Sequence, residues 1–278
     1  MTIDLHTHSN VSDGTDTPAE LVAAAAVAGL DVVGLCDHDT MAGVPAAVVA
    51  GLECGVIVLR GLEMSTELSD ATVHLLGYGC DPNDPVLAHA LSAVRYARAR
   101  RVPLMVDALN RAGVPLRVED VTALAAPGAT LGRPHVADAL VTAGVVPSRE
   151  EAFKVWLDQG RPGYVGHLRI PLSEGIAMIH GAGGVAVLAH PWGHGTRAVL
   201  TGSVIRGLAR KDGLDGIEVD HNDHDAADRV ALRAIAADAG LLVTGSSDYH
   251  GLGKVGHPLG CNTTAREVYE AIAGKLAA

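Results

Sequence analysis

Residues 2–9 read TIDLHTHS, a short apolar run closed by two histidines, His6 and His8. In an extended strand, residues i and i+2 leave the same face, so both imidazoles point one way and can pinch a metal ion. Alone the pair says little. With 14 His in 278 residues, a shuffled chain would hold about 0.7 such H-x-H pairs. Its weight depends on how the other apolar runs end.

Six more runs read as strands: residues 31–36, 55–59, 71–77, 184–189, 216–219 and 241–244. Most are bounded by Gly or Asp and rich in Val, Leu and Ile, as buried parallel strands are. Helices fit between several of them. Thr17-Pro18-Ala19-Glu20 is a helix start with Pro at the first position, and Gly29 closes the apolar stretch that follows. Residues 41–52, 172–180 and 223–239 follow the same logic. Alternating β and α units imply a parallel sheet, and seven of them imply a closed or nearly closed barrel.

One connection is out of scale. Residues 81–165 hold no convincing strand, only helical segments at 84–113 (with Pro103 inside), 119–126, 134–144 and 148–160. A crossover needs one helix, so the expectation is a barrel domain from 1–80 and 166–278 with a helical insertion at 81–165. Insertions after barrel strands emerge on the face where function sits.

Composition narrows the function. The net charge of −11 argues against nonspecific binding to long nucleic acid, which needs a basic surface. A small anionic substrate remains open, because bound cations can dominate a local field. Cys36, Cys54, Cys80 and Cys261 form no C-x-x-C pair, the pattern of reduced thiols. No basic, apolar leader and no apolar run near ~20 residues is present, so the expectation is a soluble cytoplasmic protein without a membrane partner.

The residues that bind metals collect at the strand ends. Asp37 and His38 close the second run in LCDHD, Glu63 follows the third in GLEMS, and His74 lies inside the fourth. His190 closes the fifth in LAHP, Asp248 and His250 follow the seventh in SSDYH, and Asp13 sits in the loop SNVSDG after the first. A barrel gathers such ends on one face. Nine N and O ligands in one place would be a costly cluster unless cations sat among them.

The ordered set H-x-H, S-D-G, D-H-D, G-x-E, an in-strand His, A-H-P and S-D-x-H resembles the PHP (polymerase and histidinol phosphatase) superfamily of metal-dependent phosphoesterases. Within it the chain looks most like the small stand-alone enzymes with a helical insertion and a GRPH motif, which include nucleoside 3′,5′-bisphosphate phosphatases and 5′-3′ exoribonucleases. The resemblance implies a distorted (β/α)7 barrel and up to three divalent ions. One would be held by His6, His8, Glu63 and Asp248. A second would share Glu63 and add His74 and His190, and a third would take Asp13, His38 and His250. Some relatives carry His at the position of Asp13, and Cys36 stands where Thr often precedes D-H-D. Asp37 is expected to orient a ligand or a water. His and carboxylate ligands suit Mn²⁺, Fe²⁺ or Zn²⁺ alike.

Clustered divalent ions supply what phosphate ester hydrolysis needs, an activated hydroxide and screening of the phosphoryl oxygens. The expected reaction is attack by metal-bound hydroxide on a phosphate monoester, without a covalent intermediate. The expected substrate is a small nucleotide, foremost a nucleoside 3′,5′-bisphosphate, with short oligonucleotides beside it. Arg133 and His135 in LGRPHVADAL open a helix, an arrangement that binds phosphate and could grip a second one. Simple capping of a surface helix is the other reading of that motif. His221, His224, Arg98, Arg101, Lys254 and His194 are weaker candidates for substrate contact, with a solvated loop or a charged helix face as the other reading; His89, His167, His180 and His257 read as structural or surface residues. Histidinol phosphate or a nucleoside monophosphate is the alternative substrate. An amidohydrolase-type barrel also starts with H-x-H but uses a Lys where the fourth strand here has His74, and a non-catalytic metal module is the last alternative.

Overall fold

A computed structural model describes residues 1–124, 131–166 and 168–277. The chain opens with β1 (Ile3–Thr7), α1 (Pro18–Val27), β2 (Val32–Leu35), α2 (Val44–Cys54), β3 (Ile57–Leu68) and β4 (Ala71–Tyr78). Helices follow: α3 (Pro85–Arg111), α4 (Val118–Thr122), α5 (Arg133–Thr142) and α6 (Arg149–Ala152), the last continued by the π-helical turn Phe153–Leu157. The chain then runs through β5 (Ile170–Pro171), α7 (Leu172–Gly181), β6 (Val185–Leu188), α8 (Gly202–Lys211), β7 (Gly216–Asp220), α9 (Ala226–Ala239), β8 (Leu242–Gly245) and α10 (Arg266–Leu276). These elements form two compact units, Met1–Ser92 with Arg169–Ala278, and Ala93–Leu168.

In the larger unit the strands follow the order β1-β2-β3-β4-β6-β7-β8, with β5 on β3. On a flat sheet β1 and β6 would lie four strand spacings, roughly 19 Å, apart. Yet Ile3 and Leu5 of β1, Leu76 and Tyr78 of β4, Val185 and Val187 of β6 and Ile272 of α10 share one buried cluster. The sheet must therefore curl. Its ends also meet, since His8 N donates to Tyr249 O at 2.8 Å and Asp248 N donates to His6 O at 3.0 Å. The result is the nearly closed, distorted α/β barrel expected from the alternation of strands and helices.

Two expectations are corrected. The sheet is mixed rather than parallel, because β4 runs antiparallel to both β3 and β6. The reason is the link between β3 and β4, only Ser69 and Asp70, both in the left-handed region (φ 49 and 65). Two residues at positive φ make a hairpin turn, and no parallel crossover is that short. The third strand is also far longer than residues 55–59: Arg60 and Gly61 interrupt the apolar run but not the strand, so Glu63 lies within β3 instead of after it. β5 pairs through only two residues, and α8 and α10 complete the helices of this unit.

Local signals set the helix starts. Thr17 and Glu20 form a reciprocal capping box ahead of Pro18, as the sequence predicts. In the smaller unit, Met105, Leu109, Val121, Val136, Leu140 and Leu157 build an aliphatic core. Pro103 sits within α3 rather than ending it, and the helix predicted at 119–126 is the shorter α4; Ala125 and Ala126 lie outside the described residues, as does His167.

One glycine fixes the approach of β1 to β2. A Cβ on Gly34 would lie 2.2 Å from Leu5 O, a backbone atom that cannot step aside. Overpacking of this kind costs about 1–3 kcal/mol, and Tm moves roughly 2–4 °C per kcal/mol in a domain of this size. Gly34→Ala is therefore expected to lower Tm by roughly 2–12 °C in a thermal melt. It should also weaken metal binding, because Leu5 carries His6; an unchanged Tm would mean that the strands separate freely.

Candidate metal centre

The curled sheet brings the sequence-predicted ligands of this unit together. His6 Nε2, His8 Nε2, Glu63 Oε2 and Asp248 Oδ1 form one group. His6 and His8 nitrogens are 3.0 Å apart. Glu63 Oε2 is 3.4 and 3.1 Å from them, and Asp248 Oδ1 is 3.6 and 3.4 Å from them. Donors about 2.1 Å from one ion stand roughly 3.0–3.4 Å from each other in octahedral or tetrahedral geometry, and four of these five spacings fall in that range. Two imidazole nitrogens at such a distance need a proton or a cation between them.

The other oxygen of Glu63 belongs to a second group. Oε1 is 2.9 Å from His74 Nδ1 and 3.2 Å from His190 Nε2. Register places the pair: Glu63 opposes Leu76 and Ser65 opposes His74 across the β3–β4 hairpin, so Glu63 and His74 share a face. The third group surrounds Asp13, whose carboxylate is 3.5 Å from His38 Nε2, 3.4 Å from His250 Nε2 and 3.6 Å from His8 Nδ1. His38 turns its Nδ1 toward Glu63 Oε2 at 3.2 Å, so its ring stands between the shared carboxylate and Asp13.

Charge and strain both mark the cluster. Burial penalises the Glu63 carboxylate, yet the rings of His38, His74 and His6 hold it well below the usual carboxylate range. Asp248 is depressed in the same way, with His6 and His221 outweighing burial. Burial pulls His8 down, but Asp248 and Glu63 overcome it and push the ring up to about 10. In His38 and His190 burial wins and lowers them to about 3 and about 4. His8 Nδ1, His38 Nδ1 and Asp248 Oδ1 are buried without a hydrogen-bond partner, a state that costs about 1–3 kcal/mol per group and that a cation relieves. His190 and Asp248 also hold positive φ, 25° and 53°, the kind of strain that persists at functional sites. This donor set fits divalent ions. When bound, they acidify water and screen phosphoryl oxygens.

Residues outside the three groups hold those within them. Asp37 accepts from Ser9 N at 2.8 Å, Ser9 Oγ at 2.7 Å and Ser12 Oγ at 2.7 Å, and so pins the loop that carries Asp13. Sequence reasoning missed Asp39 and Glu218. Asp39 accepts from Ser65 N (2.7 Å) and Ser65 Oγ (3.0 Å), tying the His38 loop to β3. Glu218, wholly buried in β7, faces His6 Nδ1 at 3.2 Å and accepts from His190 N at 2.9 Å and from the Ser246 hydroxyl. That fixes the proton of His6 on Nδ1 and leaves Nε2 free. A carboxylate inside the buried strand GIEVD was the available signal.

The weaker candidates divide. His224 uses both nitrogens structurally: Nδ1 donates to Val219 O at 2.9 Å and Nε2 accepts from Trp192 N at 3.2 Å. His221 Nε2 and the Lys254 ammonium meet the outer oxygen of Asp248 at 3.2 and 2.5 Å. His257, buried, donates Nδ1 to Ser247 O at 2.7 Å, and His180 pairs with Asp215 at 2.8 Å. In the smaller unit, His135 Nδ1 accepts from Gly132 N at 3.2 Å, Arg133 lies over the Phe153 ring, and Arg101 Nε donates to Val165 O at 3.1 Å.

A curled α/β sheet whose strand ends converge on buried carboxylates and imidazoles is the frame of a metal-dependent hydrolase. The PHP domain model matches residues 4–122. The chain is 34% identical over 258 residues to the 3′,5′-nucleoside bisphosphate phosphatase of Chromobacterium violaceum, covering 93% of this chain and 90% of that one. It is 35% identical over 250 residues to the 5′-3′ exoribonuclease of Haemophilus influenzae, covering 89% of each. A solved structure from Bifidobacterium adolescentis, described as a metal-dependent phosphoesterase, superposes with a TM-score of 0.80 at 38% identity over 98% of this chain and 95% of that one. The chain belongs to the PHP family, and it is a metal-dependent phosphoesterase.

Removing the charge of Glu218 tests its hold on His6. Glu218→Gln is expected to weaken metal affinity about 10–100-fold, the usual cost of losing such a partner, as read by titration against a chelator. Affinity unchanged within a factor of two would show that His6 orients itself.

Proposed function

We propose that the enzyme hydrolyses a phosphate monoester of small nucleotides, foremost nucleoside 3′,5′-bisphosphates. The observation that carries this is the shared Glu63 carboxylate, with one oxygen facing His6 and His8 and the other facing His74 and His190. It suits two adjacent divalent ions clamping one phosphoryl group. Asp13, His38 and His250 would hold a third ion, and Mn²⁺, Fe²⁺ or Zn²⁺ all suit these ligands.

His6, His8, Glu63 and Asp248 would bind the first ion; Glu63, His74 and His190 the second. Glu218 holds His6 and His190 in place, and Asp37 holds the loop that carries Asp13. The bisphosphate reading is supported by likeness to a relative of that name and by Arg133 and His135 at the start of α5, to which we assign the second phosphate. An Arg guanidinium matches phosphate geometry with paired donors, and a helix start adds backbone N–H groups. Acidic overall charge disfavours long nucleic acid, so any RNA substrate would be short.

The test is phosphate release by Mn²⁺-loaded enzyme from adenosine 3′,5′-bisphosphate, 5′-AMP and histidinol phosphate. The bisphosphate should be preferred, and Arg133→Ala should raise its KM at least tenfold while leaving 5′-AMP turnover within about twofold. Equal use of 5′-AMP would remove Arg133 and His135 from the substrate site. Activity that survives a chelator would contradict the metal reading altogether.

A further inference from the structure

A cavity of about 140 Å³ opens beside the second metal group. Its walls are Thr72, Val73 and His74 of β4, Ala189 and His190, then Gly193, His194, Thr196 and Leu200. His74 and His190 thus belong both to the cavity and to the shell around Glu63 Oε1. Whatever is joined to a phosphoryl group held there has this space next to it.

The lining states what the space accepts. No Lys or Arg is among the lining residues, and the acidic ones are absent too. Val73, Ala189 and Leu200 are buried aliphatic walls. The Thr196 hydroxyl is spent on Pro191 O and Gly193 O, at 2.6 and 2.7 Å. A second phosphate would be desolvated against Val73, Ala189 and Leu200 with no Lys or Arg in the lining, at a cost. An uncharged ring would not. A dry cavity of 150 Å³ accepts a benzene molecule, so about 140 Å³ is room for one six-membered ring.

The rim carries a second, independent sign. His194 sits at φ 53° beside Gly195 at 78°, and its side chain is 59% exposed. Histidine takes this left-handed backbone more readily than most residues, but the position is still uncommon, and such positions cluster at ligand clamps. Its Nε2 is steadied 3.5 Å from Asp223 Oδ2, and its ring stands 5.1 Å from that of His190. That leaves an aromatic face at the mouth, and aromatic rings gain about 0.5–1.5 kcal/mol from stacking or edge contacts beyond burial.

We infer that this cavity is a nucleobase pocket: it takes the six-membered ring of the substrate's base, with His194 against the ring and Val73, Ala189 and Leu200 around its edge. The inference deepens the nucleotide reading and rests on it. It divides recognition into two parts, metals for the phosphoryl group and an apolar pocket for the base.

The experiment compares 2′-deoxyadenosine 3′,5′-bisphosphate with 1,2-dideoxyribose 3,5-bisphosphate, which differs only in lacking the base, in the Mn²⁺-loaded wild type, Leu200→Phe and Thr72→Trp. Both substitutions add bulk at lining positions, and metal content checks that each variant is intact. Wild type should show kcat/KM at least tenfold higher for the compound with the base. The filled variants should bring the ratio to about two or less, because they lower kcat/KM for the compound with the base far more than for the abasic one. A wild-type ratio near one, or a ratio that survives in both variants, overturns the pocket. Adenosine alone, followed by ligand-observed NMR, separates this failure from failure of the substrate reading. If neither bisphosphate is hydrolysed, adenosine binding that is lost in Leu200→Phe still upholds the pocket, and no binding to wild type refutes it.

Discussion

Everything at the strand ends depends on one buried carboxylate. Glu63 is 1% exposed, and its two oxygens lie within 3.4 Å of nitrogens from His6, His8, His38, His74 and His190. Burying a charged carboxylate costs several kcal/mol unless cations answer it. Five imidazoles from four strand regions answer it only in part, because they too are buried and some are driven neutral. Divalent cations would balance the carboxylates and use the nitrogens as ligands, so one arrangement would serve charge balance and phosphate chemistry together.

The fold supplies that arrangement through its one antiparallel strand. With β3 and β4 joined by two residues, Glu63 and His74 lie on one face, and a slip of one residue would send His74 to the other. Curling then brings β1 against the chain after β8, where His6 O accepts from Asp248 N and Tyr249 O accepts from His8 N. Ligands far apart in sequence become neighbours through backbone bonds rather than through the metal alone. Glu218, Asp37 and Asp39 add side-chain bonds that fix rings and loops before any ion arrives.

The cluster of imidazoles and carboxylates was legible because nothing else asks for such residues there. A histidine pair at the end of TIDLHTHS, or D-H-D after VVGLC, has no packing purpose in an aliphatic barrel. The alternation of apolar runs with Ala-rich helices made the curled sheet legible as well. The hairpin was not: Ser69-Asp70 carries no glycine, although both residues hold positive φ, and Arg60-Gly61 breaks the apolar pattern of a strand that continues to Leu68. Glu218 was hidden for another reason. Its value lies in a contact with His6, 212 residues away, and a single acidic residue in a buried strand does not name its partner. Asp37 was expected to orient a ligand or a water, but its bonds run to Ser9 and Ser12, partners that the motif D-H-D does not name.

The central claim is that Glu63 links two metal positions and that Asp13 serves another. The direct measurement is the number of Mn²⁺ ions retained after gel filtration, by elemental analysis, for wild type, Glu63→Ala and Asp13→Ala, each shown folded by circular dichroism. Glu63→Ala should lose two ions relative to wild type, and Asp13→Ala should lose one. A folded Glu63→Ala protein that keeps the wild-type number, or loses no more than Asp13→Ala does, would contradict the account.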